Sequence, residues 1–151
     1  MAHADPRFLK VRASVQSPTS SASAVLVIDD DPALLDSFAT VLGTYGIPTT
    51  TARDGREGLA AFRRVSPAVV LTDIVMPERD GLETIMAMRR ERPAAKIIAM
   101  SGGGLIGKSG YLAIAKQLGA DAVIHKPFDV DELVKLIRTF LHASTSRLVR
   151  A

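Results

Sequence analysis

The stretch Val25-Leu26-Val27-Ile28-Asp29-Asp30-Asp31-Pro32 decides the reading of this chain. Its unbroken aliphatic run has no polar face, which is the pattern of a strand buried on both sides. The run predicts a strand over 24–29. Asp31 before Pro32 has the form of a helix N-cap followed by proline at the first helical position, where a missing N–H costs nothing. Leu34, Leu35, Phe38, Val41, Leu42 and Tyr45 then recur at helical spacing, and Gly46 ends the pattern. A buried strand leading directly into a helix is one βα unit.

The unit repeats. A short strand is predicted at 47–51, and Asp54 caps a helix at 55–65. A strand at 68–73 passes through a Met76-Pro77 turn to a helix near 81–92, which Pro93 stops. A strand at 96–101, a glycine-rich loop, a helix near 109–118, a strand at 121–125 and a helix at 129–142 complete (βα)5. Strands alternating with helices imply a parallel sheet covered on both faces, an α/β doubly wound architecture. Ligands of such sheets bind beyond the carboxyl ends of the strands.

Length and composition narrow the rest. The chain has 151 residues, room for one ordinary domain. No apolar run approaches the ~20 residues of a membrane helix, and no secretory h-region is present near Met1. There are no cysteines, which excludes disulfides and thiolate chemistry and fits a cytoplasmic location. The net charge of +3 is concentrated at the ends: residues 1–23 carry +2, residues 143–151 carry +2, and residues 24–142 sum to −1. A near-neutral core gives little support to nucleic-acid binding. Residues 1–23, ending in Ser17-Pro18-Thr19-Ser20-Ser21-Ala22-Ser23, are expected to be a flexible extension, and 143–151 a short basic tail.

Chemistry gathers at the strand ends. Asp29 and Asp30 follow the first strand, Asp73 ends the third, Ser101 ends the fourth, and Lys126 in His125-Lys126-Pro127-Phe128 follows the fifth. Aspartates after strands are often helix caps, and that reading suits Asp31. Asp29, Asp30 and Asp73 are different, because carboxylates brought together repel unless a cation offsets them. Mg²⁺ favours such oxygen donors together with waters and phosphate oxygens. Lys126 is a point charge suited to an anion, and Ser101 can donate to a phosphoryl oxygen. Pro127 restricts the backbone before it and permits a cis peptide.

Together, Asp29-Asp30, Asp73 with Met76-Pro77 and Gly81, Ser101 and Lys126-Pro127-Phe128 resemble the receiver domain of two-component response regulators, of the single-domain, chemotaxis-regulator type. The resemblance covers about residues 24–142. It implies a flavodoxin-like five-stranded sheet in the order 2-1-3-4-5. It implies that Asp73 accepts a phosphoryl group from a sensor histidine kinase or a histidine phosphotransferase. Mg²⁺ would be held by Asp30 and Asp73, by Asp29 through water, and by the Val75 carbonyl. Lys126 would pair with the phosphoryl group and Ser101 would move to bond it. The protein would be no enzyme beyond self-catalysed phosphoryl transfer and slow autodephosphorylation. It would signal through protein contacts to a downstream target, with no nucleic-acid or membrane partner and no DNA-binding output domain.

The sequence departs from that pattern twice. Val123 stands where receivers usually carry an aromatic residue, which argues for a variant route of output. The loop Gly102-Gly103-Gly104-Leu105-Ile106-Gly107-Lys108-Ser109 is long and matches the phosphate-binding G-x-x-x-x-G-K-[ST] pattern. A small nucleotide-binding P-loop-like protein is therefore the alternative. It lacks a later strand ending in aspartate, since the remaining strand ends on His125. His125 is read as a strand-end residue, and Met76, Met86, Met88 and Met100 as core or near-core filler. Val75 and Gly103 flank the approach of an attacking water and cannot orient it, so slow self-hydrolysis is expected.

Overall fold

A computed structural model describes residues 25–76, 81–102 and 108–148. The expectations for residues 1–23, for Pro77 and for most of the Gly102–Ser109 loop lie outside the described residues. Five strands and five helices alternate: β1 (Val25–Ile28), α1 (Pro32–Thr44), β2 (Thr49–Ala52), α2 (Gly55–Val65), β3 (Val69–Asp73), α3 (Gly81–Glu91), β4 (Lys96–Ser101), α4 (Lys108–Leu118), β5 (Ala122–His125) and α5 (Val130–Leu148). The strands form one sheet in the order β2-β1-β3-β4-β5, and every pairing is parallel. The (βα)5 architecture and strand order match the expectation.

Alternation along the strands explains the two-sided burial. Leu26 and Ile28, Val70, and Ile97 and Ala99 face a core closed by Leu59 and Phe62 of α2, Ile85 and Met88 of α3 and Ala115 of α4. Val25 and Val27, Val69 and Leu71, and Ile98 and Met100 face a second core closed by α1 and α5. Each central strand thus has no polar face, as the continuous aliphatic runs require.

Local signals set most boundaries. The Asp31 carboxylate accepts from Ala33 N and Leu34 N at 3.0 and 3.4 Å, with Pro32 at the start of α1. Asp54 accepts from Glu57 N at 2.8 Å, while the Glu57 carboxylate reaches back to Arg53 N at 2.8 Å, a reciprocal cap on α2. Gly46 adopts φ +71°, the left-handed conformation that a residue just past a helix end needs.

Two expectations are corrected. The fifth helix does not end at residue 142 but continues to Leu148, so most of the supposed tail is helical. No glycine or proline interrupts 143–148, and Ser144, Thr145 and Ser146 turn their hydroxyls onto the carbonyls of Phe140, Leu141 and His142 instead of competing for the backbone. Met86 is not core filler, being 40% exposed. Thr84, Ile85, Ala87 and Met88 take the inward face of α3, and Met86 is carried round to solvent.

Candidate functional site

The site lies at the carboxyl end of the sheet, where β1 and β3 are neighbours and β4 and β5 complete the row. Register fixes what meets there. Ile28 pairs with Thr72, so Asp29 and Asp73 leave their strands side by side. Asp73 pairs with Met100, which places Ser101 one residue beyond it. Ser101 pairs with His125, and Lys126 N donates to Ser101 O at 2.9 Å, so Lys126 starts its loop at the level of the acidic cluster. The Lys126-Pro127 peptide is cis. His125 is exposed at the strand end, as expected.

Asp29, Asp30 and Asp73 bring carboxylate oxygens within 4.8 Å of one another. Asp29 and Asp73 are buried, while Asp30 is open to solvent. Asp29 Oδ1 accepts from Asp31 N at 3.0 Å, and Asp73 Oδ1 from Val75 N at 3.4 Å. Lys126 Nζ lies 2.7 Å from Asp29 Oδ2 and 3.4 Å from Asp73 Oδ2. The lysine therefore spans the two buried carboxylates but is bonded more closely to Asp29. Of the two carboxylates, Asp73 is the less closely bonded to the lysine.

The electrostatics follow. Burial pushes the Asp73 carboxyl above the ordinary carboxylate range; the Lys126 charge opposes this and Asp29 adds to it. Burial works against the Lys126 ammonium, yet the Asp29 hydrogen bond and the two carboxylates outweigh it and hold Lys126 above the usual lysine range. One ammonium paired with two of the three clustered carboxylates leaves a local excess of negative charge. Clustered hard oxygen donors with that excess suit a hard divalent cation. The residues present thus fit a metal site.

Ser101 is buried at the end of β4, and its hydroxyl has no hydrogen-bond partner among the described residues. Val75 presents its side chain to solvent, 59% exposed, beside Asp73. Gly81, the first residue of α3, sits on the backbone just after β3. Its N–H donates to Ile74 O at 2.9 Å, and any Cβ there would collide with the Asp73 carbonyl oxygen. Val123 is half-buried and packs against the core under α2, α3 and α4.

The structure therefore brings Asp29, Asp30, Asp73, Lys126, Ser101 and Val75 to one edge, as the sequence reading required. Thr72 was missed. Its hydroxyl is buried and donates to Asp73 O at 3.0 Å. The available signal was a lone hydroxyl in the aliphatic run Val69-Val70-Leu71-Thr72, one residue before the aspartate.

Known proteins resemble this chain in sequence and fold. The response regulator receiver domain family matches residues 25–138. The chain is 33% identical over 119 residues to the probable transcriptional regulatory protein TcrX of Mycobacterium tuberculosis, covering 78% of this chain and 49% of that protein. It is 34% identical over 113 residues to the DNA-binding transcriptional regulator NtrC of Salmonella typhimurium, covering 75% of this chain and 24% of that protein. The chain thus spans about half the length of the former and a quarter of the latter. Among solved structures, a CheY-like receiver domain protein from Methanospirillum hungatei superposes with a TM-score of 0.76 at 28% identity, covering 83% of this chain and 98% of that one. The receiver domain of the Francisella response regulator 1452 does so with a TM-score of 0.73 at 27% identity, covering 81% and 98%. Fold, strand-end chemistry and family match coincide over the same residues, and the chain belongs to the response regulator receiver domain family.

Proposed function

We propose that Asp73 is the phospho-acceptor of this receiver and that a sensor histidine kinase or histidine phosphotransferase is its donor. The observation that carries the proposal is a buried Asp73 carboxylate at a strand end, 3.4 Å from Lys126 Nζ and clustered with Asp29 and Asp30. An Asp73 carboxylate oxygen attacks phosphorus, forming a P–O bond as the P–N bond of the phosphohistidine breaks. The electron pair of that bond returns to the imidazole, which leaves and takes up a proton as needed. The product is an aspartyl phosphate. Lys126 offsets charge on the transferring group and afterwards pairs with it. Ser101, whose hydroxyl is unpartnered among the described residues, donates to a phosphoryl oxygen.

Asp30 and Asp73, Asp29 through water, and the Val75 carbonyl would hold Mg²⁺. When bound, the ion neutralises charge on the phosphoryl oxygens. Val75 offers no group to orient an attacking water, so the aspartyl phosphate decays slowly. The domain's output runs through protein contacts that distinguish its two states.

The test is intact mass after incubation with acetyl phosphate and Mg²⁺. Wild type gains one phosphoryl group and Asp73→Ala gains none. An adduct unaffected by that substitution would overturn the assignment.

A further inference from the structure

We propose that Thr72 is a positioning residue for the phosphoryl-accepting carboxylate, acting through the main chain of Asp73. This rests on the reading of Asp73 as the acceptor. Thr72 alternates with Val70 and Ile74 along the chain, and both belong to the core under α2, α3 and α4. Thr72 is wholly buried at that level, where a hydroxyl is costly unless bonded. A valine would fill the same shape with equal strand preference and no such cost. Packing alone therefore gives no reason for a hydroxyl here.

Its single donor goes to Asp73 O at 3.0 Å. The other end of the same peptide is also held, because Ile74 N donates to Met100 O at 3.0 Å. Gly81 closes over that carbonyl, leaving no room for a side chain. The orientation of the Asp73-Ile74 peptide plane about the Asp73 Cα sets ψ of Asp73. That torsion, with φ and the side-chain rotamer, fixes where the carboxylate oxygens point. Thr72 thus restrains one of the two backbone torsions that can rotate the nucleophile away from the Lys126 ammonium. Rate depends steeply on such alignment, because misplacement by about 1 Å can cost about 10²-fold.

Two substitutions separate the hydroxyl from the methyl group. Thr72→Val keeps the shape and loses the donor; Thr72→Ser keeps the donor and loses the methyl. The initial rate of phosphoryl uptake from acetyl phosphate is followed by intact mass in saturating Mg²⁺, well below each melting temperature. The melting temperature is measured in parallel. Thr72→Val is expected to slow uptake roughly tenfold, with Thr72→Ser within about threefold of wild type. A Thr72→Val protein with the wild-type rate would overturn the proposal. So would a Thr72→Ser protein as slow as Thr72→Val, which would assign the effect to packing. Wild-type protein that takes up no phosphoryl group would instead overturn the reading of Asp73, and this proposal with it.

Discussion

Replacing Asp73 by asparagine removes a charge that the fold holds at a cost. Because burial raises the folded-state pKa of Asp73 above its unfolded value, the folded protein binds more protons than the unfolded chain between those two values. Stability on this account falls as pH rises from the ordinary carboxylate range through the raised pKa, and the loss is complete above it. Asp73→Asn is therefore expected to melt higher than wild type at neutral pH without Mg²⁺. A gain of about 1 kcal/mol would appear as about 2–4 °C. The difference should shrink as pH drops below the ordinary carboxylate range, and melting curves across pH check it. Gly81 gives a second prediction at this scale. A Cβ at Gly81 would meet the Asp73 carbonyl oxygen and lie 2.7 Å from Ile74 Cα, and neither backbone atom can yield cheaply. Gly81→Ala should cost about 1–3 kcal/mol in urea unfolding. It should also slow phosphoryl uptake, because the start of α3 is pushed away from the end of β3.

Elements are tied together by contacts with no local signature. Arg89 on α3 donates to Gly119 O at 3.1 and 2.5 Å, to Pro93 O at 2.6 Å, to Ala95 O at 2.9 Å and to Asp121 Oδ2 at 2.7 Å. Asp121 Oδ2 also accepts from Ile97 N at 2.9 Å, so one carboxylate joins α3, β4 and the turn before β5. Asp121→Ala should lower the urea midpoint by an amount worth about 2 kcal/mol, with the slope unchanged, since the Arg89 guanidinium loses its carboxylate partner and the Ile97 N–H loses its acceptor. The contrast with the caps is instructive. Asp31-Pro32 and Asp54 with Glu57 act within one turn, so their roles were readable from adjacent letters. The strand ends were readable because aliphatic runs stop at charged or hydroxyl residues. The end of α5 was not, because its last turns carry hydroxyl residues that look like a tail and bond back to their own helix. Nor was the preference of Lys126 for Asp29 over Asp73, which is settled by the geometry of strands 97 residues apart in sequence.

At the scale of the whole molecule, the sheet divides the interior into two apolar layers, one under α1 and α5 and one under α2, α3 and α4. Every pair of neighbouring strands is parallel, so all five carboxyl ends point to one edge, and a change at that edge reaches both layers through the same strands. The basic excess of the full sequence sits at its ends, away from this edge in sequence, while residues 24–142 sum to −1. β1 lies between β2 and β3, and Val25–Ile28 are fully buried on both faces. Amides in such a strand exchange with solvent only when the whole domain opens. Deuterium uptake at Leu26, Val27 and Ile28 is therefore a thermodynamic meter built into the fold. Under the proposed phosphoryl transfer to Asp73, the change in their protection would read, in free energy, how strongly that edge is coupled to everything the sheet supports.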